Sequence, residues 1–436
     1  MDLTSLTITQ ASEMIQSGEI KPTDLLEAHL ERIAKLEPKL EAWVTIDAEA
    51  ARTSAKQADM EAQSGNIRSR LHGIPVGVKD IYYTKGLRTT MGSPIYKDFI
   101  PDRDSEIVAK LRRSGAIIIG KTETTEFAFL DPAPTRNPWE VNHTPGGSSA
   151  GSAAAVSACL APLAFGSQTG GSITRPASFC GVVGVKPTYD LLSREGVYPL
   201  AWSMDHIGYI TRNVADAKIT LDTLTDTQTH DYEPGRPLHI GYVEGYFIDA
   251  SDGEVATNYN EALQRLWRGE NLLDPFELPK SFTVVHSAIR VIMFSESAAI
   301  HRKNFKTNIR DYRPNMRGMV ASGLMIPSST YLQAQRIRRV FIHDMLQAMK
   351  GYDLIVTPSA PTPALQGLES TGDAAFNSPW SFTGFPTITV PSGLTARGMP
   401  LGIQLIARHF DEPLLFSVAS WVENKLGSIG NPPITL

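Results

Sequence analysis

Two clusters of glycine and serine are the first candidates for chemistry: Gly146-Gly147-Ser148-Ser149-Ala150-Gly151 and Thr169-Gly170-Gly171-Ser172. A serine hydroxyl becomes a nucleophile only where a neighbour takes its proton and where developing negative charge is stabilised. Glycine permits backbone conformations and close approaches that a Cβ forbids, so a Gly-Gly-Ser turn can hold a hydroxyl beside several unpaired N–H groups. That is what an oxyanion hole requires. One such cluster by itself reads as a tight turn. Both, however, lie in residues 145–184, where Gly, Ser and Ala fill 23 of 40 positions and Arg175 is the only charge.

Several routes to an activated serine can be compared. The string Gly147-Ser148-Ser149-Ala150-Gly151 matches G-x-S-x-G, with Ser149 as nucleophile, but that elbow follows a strand directly. Residues 139–145 are short, polar and end in proline. Asp205-His206 stays open as a source of triad partners. The S-x-x-K arrangement is absent, since no lysine has a serine three residues before it. The remaining route is a lysine kept neutral by burial and acting as general base. Lys79 is the candidate, because it closes the apolar alternation Ile74, Val76, Val78. Alone it reads as a solvated lysine at a strand end, and only the serine clusters raise it above that.

The surrounding pattern tells which elements position these residues. Leu25, Leu26, Leu30, Ile33 and Leu36 recur at helical spacing after Pro22, with Pro38 expected to end the helix, and 41–64 reads as a further helix. Strands are expected at 74–78, 116–119 after a helix at 104–113, 181–185, 240–243, 353–357, 387–390 and 402–406. Helical patterns between most of them predict an α/β fold, a single large domain whose mixed, twisted sheet is covered by helices on both faces. Tyr232–Pro237 is a linker candidate within that domain. Residues 281–350 read as helical. There Met293, Met316, Met319, Met325, Phe294 and Tyr331 suggest either a pocket lining or ordinary packing.

Composition excludes whole classes of function. The 436 residues are 42% hydrophobic and 20% charged, as in a globular protein with a large core rather than a disordered chain. With 41 basic and 46 acidic residues, net −5, there is no footprint for nucleic acid or an anionic membrane. Residues 141–174 carry no charge, yet prolines and glycines interrupt them and serine outweighs leucine, so no membrane span is expected there. Cys159 and Cys180 suit neither a disulfide framework nor a CxxC metal site, and the N-terminus lacks a basic-then-apolar leader. The expected location is cytoplasmic.

The run PGGSSAGSAAAVSACLAPLAFGSQTGGSITRPASFCGVVGVKPT (145–188), with Ser172 24 positions after Ser148, resembles the amidase signature family. LHGIPVGVKD (71–80) is similar to the family segment carrying its catalytic lysine. The likeness continues through RSGAIIIGKTETTEFA (113–128), DLIVTPSAPTP (353–363) and the 382–415 region. The resemblance implies one amidase domain over 1–436: a helical part at about 1–65, a signature core at about 70–220, a variable and pocket-lining region at about 220–345, and a C-terminal α/β part at about 346–436. It also implies catalytic Lys79, Ser148 and Ser172, with Ser172 as nucleophile and Ser148, on a cis peptide, relaying protons to neutral Lys79. The oxyanion hole would be the N–H groups of Thr169, Gly170, Gly171 and Ser172. The reaction implied is hydrolysis of a linear amide C–N bond through an acyl-enzyme, with no metal or cofactor, on a small-molecule amide or carbamate. A homodimer is a further implication.

The commonest family pattern has an acidic residue four before the nucleophile and an arginine two after it. Here Gln168 and Thr174 stand at those places, and the arginine is Arg175. This arrangement, together with STGDAAFNSPWSFTG (370–384), is similar to malonamidase-like members. Arg175 then has two readings, a clamp for a substrate carboxylate or a tie to loop carbonyls. The family also includes carbamate, anilide and aryl ester hydrolases and the glutaminase component of a tRNA-dependent amidotransferase. A non-catalytic binding protein on the same scaffold is the alternative from another class.

Overall fold

The computed structural model describes residues 1–225, 237–267 and 271–434. Among these residues, eleven strands form one mixed sheet. In chain order they are β1 (Trp43–Ile46), β2 (Pro75–Lys79), β3 (Ile117–Thr122), β4 (Leu163–Gln168), β5 (Val183–Lys186), β6 (His206–Thr211), β7 (His239–Tyr242), β8 (Leu272–Pro275), β9 (Leu354–Pro358), β10 (Thr387–Leu394) and β11 (Pro400–Ile406). Across the sheet the order is β1-β3-β2-β4-β6-β5-β10-β11-β9-β7-β8. β2 runs parallel to both β3 and β4, whereas β4 is antiparallel to β6. Every residue of β2, β3, β4, β5 and β6 is buried, as expected of strands covered on both faces. Placing β2 next to β4 brings Lys79 alongside the serine-rich stretch.

Between the two Gly-Gly-Ser clusters the chain forms the helix Ala150–Ser157, then β4. All eight residues of that helix are buried, so its small side chains serve close packing. The uncharged stretch thus holds a helix and a strand inside the core, and that helix is too short to cross a membrane. One helical stretch, Lys280–Asn308, has the length and apolar content to cross a membrane. Its Val285, Ile289 and Ile292 are instead buried against Phe341 and Phe382 in one of the hydrophobic clusters.

Several sequence expectations need correction. The first long helix runs Pro22–Leu40 and contains Pro38 in its last turn. Leu36 and Leu40, on either side of that proline, are both fully buried, and this packing outweighs the hydrogen bond that proline removes. Residues 41–64 are not one helix: β1 precedes the helix Ala48–Gln63, which Asp47 caps by accepting the Ala50 N–H at 3.1 Å. β1 exists because β3 offers it an antiparallel edge. β4, β6 and β8 were not expected from the pattern at all. The helical expectation for 281–350 holds as Val285–Asn308, Pro314–Gly323 and Ser328–Ala348. Met316 and Met319 are buried in the main core, while Met325 is 81% exposed. All of the linker candidate Tyr232–Pro237 except Pro237 lies outside the described residues.

Candidate active site

Lys79 ends β2 in complete burial, and its Nζ reaches only hydroxyls. Nζ lies 2.7 Å from Ser148 Oγ, 2.9 Å from Ser167 Oγ and 3.1 Å from Ser149 Oγ. Burial pushes the Lys79 pKa well below the ordinary lysine range, and the Asp205 carboxylate pulls only partly in the other direction. The Gly147–Ser148 peptide is cis, as the resemblance implied. Ser149 opens the helix Ala150–Ser157, and no strand precedes it between Thr122 and Leu163. The elbow geometry is therefore missing, and Ser149 serves Lys79 as a second hydroxyl. Its place is tight: a Cβ at Gly166 would stand 2.7 Å from Ser149 Oγ.

Ser172 lies on the loop joining β4 to the helix Thr174–Cys180 and is 9% exposed. Its carbonyl accepts the Ser149 N–H at 3.3 Å, so the two glycine-serine turns are joined through backbone. Among the described residues its hydroxyl makes no hydrogen bond. The N–H groups of Thr169, Gly170, Gly171 and Ser172 likewise donate to none of the described residues. Four open donors in succession next to a free hydroxyl are what stabilisation of an oxyanion asks for.

The flanks of that loop are tied down. Thr169 donates its hydroxyl to Asp205 at 2.6 Å, and Asp205 also accepts the N–H groups of Leu200 and Ala201. Burial pushes the Asp205 pKa up to about 6, against these hydrogen bonds, which lower it. Gln168, where many family members have an acid, accepts the Ile173 and Thr174 N–H groups at 2.8 and 2.9 Å through Oε1. Neutral hydrogen bonds thus do what an acid would otherwise do there. His206 Nδ1 points to the Gln168 and Met204 carbonyls, so Asp205-His206 forms no triad with the serines. A cavity of about 320 Å³ opens beside Ser167, Thr169 and Asp205, with Ile81, Tyr198 and Leu200 as apolar wall.

Arg175 is 2% exposed. One nitrogen, Nη2, donates to the Gly147 carbonyl at 2.7 Å and the Thr371 hydroxyl at 3.1 Å, so the loop tie is present. Nε and Nη1 are buried and have no partner among the described residues. Burial lowers the Arg175 pKa to about 10, with Asp373 opposing. Sequence reasoning did not single out Ser167, Asp205 as a loop anchor, or Ser381. Ser167 had a signal, since it sits in the same uncharged run; Ser381 had none.

Comparison with known proteins follows the same geometry. The Amidase family profile matches residues 24–416. A glutamyl-tRNA(Gln) amidotransferase subunit from Geobacter sp. (strain M21) is 34% identical over 470 residues, covering 96% of this chain and 97% of the relative. A crystal structure of an amidase superposes with a TM-score of 0.89 at 29% identity, covering 97% and 100% of the two chains. Native peptide amidase from Stenotrophomonas maltophilia superposes with a TM-score of 0.85 at 27% identity, covering 99% of each. Since the family profile takes in both serine turns and the Lys79 strand, and the likeness runs nearly end to end, this chain belongs to the amidase family.

Proposed function

We propose that this protein hydrolyses a linear amide through an acyl-enzyme on Ser172. The carrying observation is the burial of Lys79 among three serine hydroxyls, with no carboxylate of the described residues in hydrogen-bonding distance. A neutral amine there has a lone pair to accept the Ser148 proton. Ser172 Oγ attacks the amide carbon and gives its proton to Ser148, whose own proton moves to Lys79. The oxyanion is held by the N–H groups of Thr169–Ser172. The tetrahedral adduct then collapses, the C–N bond breaks, and the amine departs with the proton returned through Ser148. Water repeats the sequence on the acyl-enzyme and releases the acid. No step needs a metal or cofactor, and a cytoplasmic location suits the two reduced, buried cysteines.

The acyl group in this reading carries a carboxylate. Nε and Nη1 of Arg175 are buried without partners among the described residues, and each is a charged donor that an oxygen of a carboxylate can take up. Ser172→Ala is expected to abolish turnover and labelling by a fluorophosphonate; retention of either refutes the nucleophile. Arg175→Ala is expected to slow a short dicarboxylic half-amide much more than its uncharged analogue. Equal slowing of both leaves Arg175 as a loop tie only.

A second reading is favoured by the names of the curated relatives: the hydrolytic component of an amidotransferase. Glutamine is itself an amide bearing a carboxylate, so the same Arg175 clamp would serve it. The alignment to those relatives spans 470 residues against 436 here, so they carry segments that this chain lacks. Glutamine hydrolysis together with copurifying partner chains supports this second reading; hydrolysis of half-amides by the isolated chain supports the first.

A further inference from the structure

The loop that carries the open N–H groups is also tied to a distant part of the chain. Ser381 lies in the helix Ser378–Thr383, beyond the signature segment by some two hundred residues. Its hydroxyl donates to the Gly170 carbonyl at 2.7 Å and accepts from Gln168 Nε2 at 3.2 Å. The other end of the Gln168 carboxamide takes the Ile173 and Thr174 N–H groups and, at 3.1 Å, the Thr174 hydroxyl. One hydrogen-bonded chain therefore runs from Gly170 through Ser381 and Gln168 to the residues just after Ser172.

The direction of each bond matters. In a trans peptide the C=O and the following N–H point in opposite directions. Pinning the Gly170 carbonyl toward Ser381 turns the Gly171 N–H to the opposite side. Asn377 packs closely against Gly171, where a Cβ would stand 2.5 Å from its Oδ1, so only glycine fits at this point of the loop. Gln168 at the same time occupies the N–H groups of Ile173 and Thr174, so the open series stops at Ser172. Donors that are already oriented cost no reorganisation when charge develops on the substrate oxygen.

We propose that Gln168 and Ser381 are a pair of positioning residues that orient the Gly171 N–H toward the oxyanion. Neither residue touches the reacting atoms. Their contribution is to the rate of the chemical step and not to the binding of ligand. The inference rests on Ser172 being the nucleophile, and it goes beyond that reading by assigning part of the rate to a side chain in the C-terminal segment.

The test uses a fluorophosphonate, which needs both the Ser172 nucleophile and the N–H groups that receive its phosphoryl oxygen. Inactivation is followed by mass spectrometry of the Ser172 peptide in the unsubstituted protein and in Ser381→Ala, Ser381→Thr, Gln168→Leu and the Ser381→Ala/Gln168→Leu double variant. Loss of one oxyanion donor typically costs about 100- to 1,000-fold, so misorientation of one donor should lower the maximal inactivation rate roughly 10- to 100-fold. The inactivator concentration for half-maximal rate should not change, Ser381→Thr should keep the rate, and the double variant should fall no further than Gln168→Leu alone. An unchanged maximal rate in Ser381→Ala, or a double variant whose loss is the product of the two single losses, overturns the pairing. If Gln168→Leu does not fold, the contrast of Ser381→Ala with Ser381→Thr decides. Absence of Ser172 labelling in the unsubstituted protein removes the nucleophile reading and this inference together; labelling that Ser381→Ala leaves untouched removes this inference alone.

Discussion

Lys79, Lys121 and Lys186 are all completely buried, and of these three only Lys79 sits among the serines. Lys121 Nζ donates to the Tyr82 carbonyl and to the hydroxyls of Thr84 and Thr89 at 3.1 Å each, with the Asp80 carboxylate 4.0 Å away. Lys186 Nζ donates to the carbonyls of Phe385 and Pro187, and the Glu412 carboxylate acts on it from nearby. Lys79 has three serine hydroxyls. Carbonyls and carboxylates only accept, so they reward a lysine that keeps its protons. A hydroxyl can also donate, so Lys79 keeps its full set of hydrogen bonds after losing a proton. Burial lowers all three pKa values, Lys121 to about 8 and Lys186 to about 7, with Lys79 also pushed far down. What separates a base from a structural strut is therefore that Lys79 has no carbonyl or carboxylate among its hydrogen-bond partners, whereas Lys121 has a carbonyl besides its two hydroxyls and Lys186 has only carbonyls.

The comparison predicts different failures for the three lysines. Lys79→Met should produce the largest loss of activity, on the order of 100- to 10,000-fold in turnover as expected for a general base. Circular dichroism should show an intact fold, and retained turnover would end the distinction drawn above. Lys121→Met leaves the Asp80 carboxylate buried with its counter-charge gone, and removing one member of a buried ion pair typically costs about 3–5 kcal/mol of stability. Denaturant melts would measure it; a melt unchanged from the parent would show that Asp80 does not need Lys121. Turnover of whatever protein remains folded should be close to normal.

Lys186→Met sharpens the comparison through pH. Its pKa is about 7 when folded and near the ordinary lysine value when unfolded, so between those values the unfolded chain binds more protons. Stability then rises with pH through that window and is progressively lost as pH falls toward 7. The substitution should flatten this part of the melting-temperature profile relative to the parent. An identical slope in both proteins would mean that Lys186 stays charged in the fold. For Lys79 the same sign applies to activity, which should fall as pH drops and Lys79 becomes protonated.

How much of this was legible in the sequence differs between the site and its support. Lys79, Ser148 and Ser172 could be picked out because each stands in a local pattern: an apolar alternation ended by lysine, and two glycine turns in a stretch with one charge. The structure brings Lys79 and Ser148 together and joins the two serine turns through the Ser149 N–H and Ser172 carbonyl. β4 escaped because Leu-Ala-Phe-Gly-Ser-Gln has neither clear alternation nor β-branched residues, and its strand character comes from β2 and β6 on either side. With β4 unseen, Ser167 and Gln168 had no assigned direction. Asp205 looked like a triad candidate beside His206, and only packing showed it holding Thr169.

By itself the sequence determined the α/β class, the glycine turns and the identity of the groups able to do chemistry, because these depend on residue type and spacing over ten or twenty positions. The tertiary structure alone decided which buried lysine meets the serine hydroxyls, which of the candidate serines stays unbonded, that two Arg175 nitrogens have no partner among the described residues, and that Ser381 reaches Gly170. Those outcomes require strands and helices far apart in the chain to be placed within a hydrogen bond of one another. Hydrogen-bond partners and desolvation act over a few ångströms of space, and local sequence spacing does not encode such distances.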